Sequence, residues 1–161
     1  MTNKFLSKLV KEGKIKFVES SEEIKKSYLN KSESNLDSAK ILLKNGKLEE
    51  SVSLVYYSMY SSIIALFFKI GIKCENHSAT IIILKEIFGI NNSDISFAKK
   101  ERIDKQYYAD FNVTELEVKE SLEIADEFNA KVLDFIIKLN NSDVEKYKLK
   151  FKELIGGKIN L

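Results

Sequence analysis

Apolar residues recur along this chain with helical rather than alternating spacing almost from end to end, the mark of amphipathic helices packed on one another. Tyr28, Leu36, Ala39 and Leu43 make one apolar stripe, and Asn45-Gly46 supplies its stop. Ser20-Ser21-Glu22-Glu23 marks its start as a capping box, with Ser20 as the cap and Glu23 reaching back. A second helix is expected over Leu48–Ile70, ending at Gly71, and the loop IKCEN leads to a short third over Ser78–Phe88. Gly89-Ile90-Asn91-Asn92-Ser93 breaks that one, and a fourth is expected over Asp94–Asp110. Thr114-Glu115-Leu116-Glu117 is another capping box. It opens a long fifth helix whose Val118, Leu122, Ala125, Val132, Ile136 and Leu139 keep a seven-residue rhythm suited to antiparallel bundle packing. Asn140-Asn141-Ser142 closes it. The tail KYKLKFKEL alternates as a strand would, yet Val144, Tyr147, Phe151 and Ile155 also fit a helix, and a helix is expected.

One stretch departs from amphipathicity. SVSLVYYSMYSSIIALFF, Ser51 to Phe68, runs for 18 residues without a charge. Its length just reaches that of a membrane span. Its five serines and three tyrosines argue instead for a core helix packed on several sides, with Ser51, Ser58, Ser62 and Ala65 allowing close approach. No membrane association is expected.

Composition changes this picture only at a few points. The chain has no proline and six glycines, so few positions interrupt a helix, and the fold class is all-α. We expect an antiparallel helical bundle of four to five main helices in a single domain over 1–161. Within it are a basic N-terminal arm over 1–18, the bundle over 20–140 and a C-terminal helical extension over 142–155. The arm carries Phe5, Leu9, Ile15 and Phe17, which suit docking on the bundle. The net charge of +2 does not by itself point to nucleic acid. Lysines do cluster, with Lys4, Lys8, Lys11, Lys14 and Lys16 against Glu12 alone, and one at every second position over 146–152. Such clusters either meet phosphates or an acidic partner or are a solvated edge. Cys74 is the only cysteine, which excludes an internal disulfide and a multi-cysteine zinc site. MTNKFLSKLVKEGK lacks a signal-peptide apolar core, and the expected address is the cytoplasm.

Few residues carry candidate chemistry. His77 is the sole histidine, so no multi-histidine metal site is expected and no cofactor is implied. It is the one side chain with an ordinary pKa near neutrality, a proton carrier or else a capping or packing residue. GIKCENHS and IGGKIN lack the spacing of a phosphate loop. Of 26 basic residues only Arg102 is arginine, the planar cation that grips phosphate or carboxylate in two places. Arg102, Gln106 and Ala109 share a helix face with Ala98, open to a ligand or a second helix. Phe97, Tyr108 and Phe111 fall opposite, as a core face. The structural alternative for Arg102 is a salt bridge.

SAKILLKNGKLEESVSLVYYSMYSSIIALFFKIGIKCENHSATI resembles the HEPN family of small α-helical proteins from prokaryotes. It is most similar to the branch with a YYAMF-like core helix, a Lys-Gly-Ile-like helix end and a His-Ser step. The residues that carry this are Tyr56, Tyr57, Met59, Tyr60, Gly71, Ile72, His77 and Ser78. The lead-in KLVKEGKIKFVESSEE and the later ERIDKQYYADFNVTELEVKESLEIADEFNAKVLDFI are similar to that branch as well, so the resemblance covers roughly 5–140. It implies a bundle of four to five helices that dimerises, working beside a minimal nucleotidyltransferase, often as a toxin–antitoxin pair.

Many such proteins are metal-independent ribonucleases with an Arg, four to six residues, then His. Arg102 matches the first half; Tyr107, Tyr108 and Ala109 stand where the histidine would be. The implied site is thus Arg102, with Tyr107, Tyr108 or His77 as catalytic candidates and Arg102 and Gln106 contacting RNA or nucleotide. Tyr107 or Tyr108 would also be a candidate acceptor for nucleotide transfer. Three functions stay open: a nucleotidyltransferase partner that binds RNA or nucleotide, an active RNA endonuclease, and a non-catalytic helical scaffold.

Overall fold

The structure is a computed structural model that describes residues 3–107 and 112–157, excluding the side chains of 105–107. Its described elements are α1 (Lys4–Lys11), β1 (Ile15–Phe17), α2 (Glu22–Lys44), α3 (Leu48–Ile70), β2 (Ile72–Cys74), α4 (His77–Phe88), α5 (Ser93–Tyr107), α6 (Glu115–Lys138) and α7 (Asn141–Leu154). The all-α expectation holds, and the tail is helical as expected. α3 is the axis, flanked by α2, α5 and α6.

Local chemistry explains the boundaries. Ser21, one residue beyond the expected Ser20, caps α2, accepting from the Ile24 N–H at 3.1 Å. The two acids after it, Glu22 and Glu23, lie in the first turn, where negative charge meets the positive end of the helix dipole. Thr114 does form the expected capping box, with Glu117 reaching back to its N–H at 2.7 Å. Gly71 ends α3 at φ +93°, and a Cβ there would lie 2.5 Å from the Val18 carbonyl oxygen. Only glycine suits both demands.

That close approach belongs to an element the sequence pattern did not reveal. β1 and β2 pair antiparallel, with Ile15 opposite Cys74 and Phe17 opposite Ile72. IKCEN is therefore partly a strand rather than a loop, and the basic arm is a helix plus a strand. Three-residue strands are too short to show periodicity, so only their mutual pairing reveals them. Leu6, Leu9 and Ile15 are buried, and α1 meets α7 through Asn3 N–H to the Leu154 carbonyl at 3.0 Å.

The uncharged block fills the core. Val55, Tyr56, Met59, Ile63, Ala65, Leu66 and Phe67 are essentially inaccessible, which removes apolar area from water at about 25 cal/mol per Å². By length and composition α3 alone among the described residues reaches a membrane span, but most of that window is buried by its neighbours. Ser51 and Ser58 are satisfied across close helix contacts, whereas Ser53, Ser61 and Ser62 donate back to carbonyls of α3 itself. Ser51 Oγ donates to the Ala39 carbonyl at 2.8 Å, and Ser32 and Ser58 exchange hydroxyl-to-carbonyl bonds at 2.8 and 2.7 Å.

α5 meets α3 through its Ala98–Arg102 face, where a second helix was expected to come close, and the expected core face fails at Phe97. Phe97 is 57% exposed, while Ile95 and Ala98 are buried. The inward row is Ile95, Ala98, Arg102, with spacings of three and four, so Arg102 occupies the place of the next core residue. Ala98 is small enough for α5 to lie close on α3, which a phenylalanine there would prevent. Tyr108 and Phe111, expected on the opposite face, lie outside the described residues.

Candidate functional site

Arg102 enters the bundle from α5 and lands on two tyrosines of α3. Its guanidinium carbon is 5.0 Å from the Tyr56 ring centre and 5.3 Å from that of Tyr57, within cation–π range. Nη1 donates to the Tyr57 hydroxyl at 2.9 Å. Nε is buried with no hydrogen-bond acceptor. Among the described residues no carboxylate pairs with Arg102, so aromatic rings hold it in place of the salt bridge that sequence left open. Among the described residues its charge has no acidic partner.

His77 joins the same cluster from α4. The helix cap is its neighbour Asn76, whose Oδ1 accepts from the Ala79 N–H at 2.9 Å, which leaves the imidazole free for other work. Its Nδ1 is 2.6 Å from the Tyr56 hydroxyl. The Tyr60 ring stacks on it, centres 4.1 Å apart and planes 3° from parallel. Tyr56 therefore touches both candidates, His77 through its hydroxyl and Arg102 through its face. These are the positions that sequence could not connect.

The electrostatics follow from burial and like charge. Burial, then Arg102 and Lys99, hold the His77 pKa below its ordinary value, so the ring is neutral at pH 7. Burial pushes Tyr56 well up, against the opposing pull of Arg102, and keeps it a phenol. Lys99, whose Nζ donates to Ser78 Oγ at 2.5 Å, is lowered by burial and by Arg102. Two cations and a neutral imidazole thus crowd one place, and no carboxylate is among the groups that shift His77 or Lys99. Such a field favours an anion.

With Nδ1 held by Tyr56, Nε2 is the ring nitrogen left to meet a ligand. If Tyr56 donates to Nδ1, Nε2 carries the proton and can act as a donor. If Nδ1–H donates to Tyr56, Nε2 is bare and accepts a proton. The tyrosine makes both tautomers workable. Sequence reasoning named Arg102 and His77 but missed Tyr56, Tyr57, Tyr60 and Lys99 as parts of the site. The available signal was three tyrosines clustered at 56, 57 and 60 within the uncharged run of α3. Two other candidates, Gln106 and Tyr107, lie on α5 with side chains outside the described residues, and Tyr108 lies outside them altogether.

A family model for the HEPN domain matches residues 25–135. The UPF0332 protein PH1297 of Pyrococcus horikoshii is similar, 37% identical over 86 residues that cover 53% of this chain and 56% of that protein. The match therefore reaches little more than half of that relative's length. The family span takes in α2 through most of α6, and with them the Arg102–Tyr56–His77 cluster; the chain belongs to the HEPN domain family.

Proposed function

We propose that this HEPN protein binds RNA or a nucleotide phosphate at the Arg102–Tyr56–His77 cluster. In this proposal it is a cytoplasmic homodimer and the partner of a minimal nucleotidyltransferase in a toxin–antitoxin-like module. The observation that carries the phosphate reading is the state of Arg102: a buried Nε without an acceptor and no carboxylate partner among the described residues. A phosphate oxygen supplies what that fork lacks. Lys99 adds a second cation and His77 a neutral donor.

Fluorescence anisotropy with labelled single-stranded RNA tests this. Arg102→Ala should weaken binding by at least about tenfold, since charge-assisted bonds contribute about 1.5–3 kcal/mol. Arg102→Lys should recover only part of it. Equal affinity in Arg102→Ala would refute the reading. Co-purification with the adjacent nucleotidyltransferase, where one is encoded, tests the partnership separately.

One observation favours a second reading, metal-independent RNA cleavage: His77 stands in the same cluster as Arg102 through Tyr56. Nε2 of His77 would take the proton of a ribose 2′-hydroxyl as that oxygen attacks the phosphorus. The 5′-oxygen would leave with a proton returned from the site, giving a 2′,3′-cyclic phosphate. Arg102 would offset the charge gathered on the phosphoryl oxygens. Cleavage that persists in excess EDTA and is abolished by either Arg102→Ala or His77→Gln supports this reading. Intact RNA in the presence of wild-type protein counts against it.

A further inference from the structure

On another side of α3, residues of α2 and α6 line a groove of about 390 Å³. Its walls are Leu29 and Leu36 from α2 and Leu133 from α6. Ser58 and Ser62 lie about 200° and 240° around α3 from Tyr56 by helical spacing, so this groove is separate from the arginine cluster.

The polar groups at its base are committed in one direction. Ser32 Oγ donates to the Ser58 carbonyl at 2.8 Å, Ser58 Oγ to the Ser32 carbonyl at 2.7 Å, and Ser62 Oγ to the Met59 carbonyl at 2.7 Å. With its proton used, Ser58 Oγ can only accept, and Asn129 Nδ2 donates to it at 2.8 Å. That fixes which way the Asn129 amide points. Its carbonyl Oδ1 is turned from Ser58 and is buried with no partner, an arrangement that costs about 1–3 kcal/mol when nothing fills it. Asn129, Ser32 and Ser62 all line the groove. The Ser32 and Ser62 hydroxyl protons and one Asn129 amide N–H are used internally, and the unmet demand at the base is for a donor to Asn129 Oδ1.

At the mouth stand two exposed carboxylates, Glu33 from α2 and Asp126 from α6. The chain has 25 lysines, yet among the described residues none forms an ion pair with either acid. Methylene-lined walls, an acceptor base and two unpaired acids on opposite helices describe a complement of known chemistry. It has N–H donors, at least two positive charges and an aliphatic stem between them.

We infer that the α2–α6 groove binds an aliphatic di- or triamine: ammonium groups on Glu33 and Asp126, stem against Leu29, Leu36 and Leu133, donors toward Asn129. The volume suits a small linear ligand. The site needs no reaction, and its occupancy would clamp α2 to α6 across the mouth.

The test is an amide-resolved NMR titration of the ¹⁵N-labelled full chain with spermidine and putrescine at physiological ionic strength. Saturable shifts should centre on Leu29–Leu36 and Asp126–Leu133. The neutral 1,5-pentanediol should leave them unmoved. Glu33→Gln with Asp126→Asn should weaken affinity by about tenfold or more, the equivalent of two modest ion pairs. Ala130→Trp, placed at an exposed position on the groove wall, should abolish binding while the rest of the spectrum stays folded. Non-saturating shifts spread over every acidic surface would overturn the inference. So would undiminished binding in the charge-neutralised variant or in a folded Ala130→Trp, or no shifts at millimolar amine.

Discussion

The hydroxyl of Tyr56 lies 2.6 Å from Nδ1 of His77, and the face of the same tyrosine ring carries the guanidinium of Arg102. A buried phenol thus couples the chain's only histidine to its only arginine. The coupling is electrostatic as well as geometric, because Arg102 helps to keep His77 neutral.

It can be read directly. With one histidine in the chain, the imidazole gives a single, unambiguous NMR titration. Arg102→Ala removes a nearby positive charge and exposes the ring, and both changes favour the protonated form. The His77 pKa should therefore rise toward its ordinary value of about 6.5. A titration midpoint unchanged from wild type would break the link between the two residues.

Acid sensitivity follows from the same residue, and its sign is fixed. The folded-state pKa of His77 lies below the unfolded value near 6.5. Between the two values the unfolded chain holds more protons, so stability climbs with pH there. The His77 contribution is whole above about 6.5 and lost as pH falls through the folded-state value. Glu22 and Glu75, held below 4.5 by their lysine partners, lose their stabilising share only at lower pH. Urea midpoints measured from pH 7.5 to 5 should fall for the wild type and stay flatter for His77→Gln. Parallel curves would assign the acid loss elsewhere.

Met59 sits at 1% exposure in the middle of α3. Met59→Ala should cost about 2–5 kcal/mol through lost burial and a cavity. Met59→Lys, which buries an unpaired charge, should leave no cooperative thermal transition. Ile137→Lys, at a position 72% exposed on α6, should change stability by less than about 0.5 kcal/mol. Similar melting temperatures for the two lysine variants would contradict the central placement of α3.

Gly71 and Gly46 separate strain from crowding. Both have positive φ, but a Cβ at Gly46 meets nothing within 4 Å, whereas at Gly71 it would strike the Val18 carbonyl oxygen. Gly46→Ala should cost about 1 kcal/mol, as an αL alanine does. Gly71→Ala should cost clearly more, because the β1–β2 pairing must shift as well. Chemical denaturation of the two variants checks the ranking, and equal losses would contradict it.

By itself the sequence determined the main helices, α2 to α6, because their ends are written in local chemistry, while α1 went unread and α7 fitted a strand as well. Thr114 with Glu117 opens α6, Asn45-Gly46 closes α2, and the uncharged run from Ser51 to Phe68 could only be a buried axis in so charged a chain. Cap choice at α2 slipped by one residue, since adjacent serines have the same propensity and only backbone geometry selects Ser21. Tertiary structure decided what no local pattern contains. The β1–β2 pair joins residues 15–17 to 72–74. Phe97 faces outward because α5 packs through its small residue, Ala98. The site itself joins Tyr56, His77 and Arg102 from three helices. Spacing along a helix says which residues share a face; which face meets which is settled only when α5 closes on α3, and there the arginine finds its tyrosines.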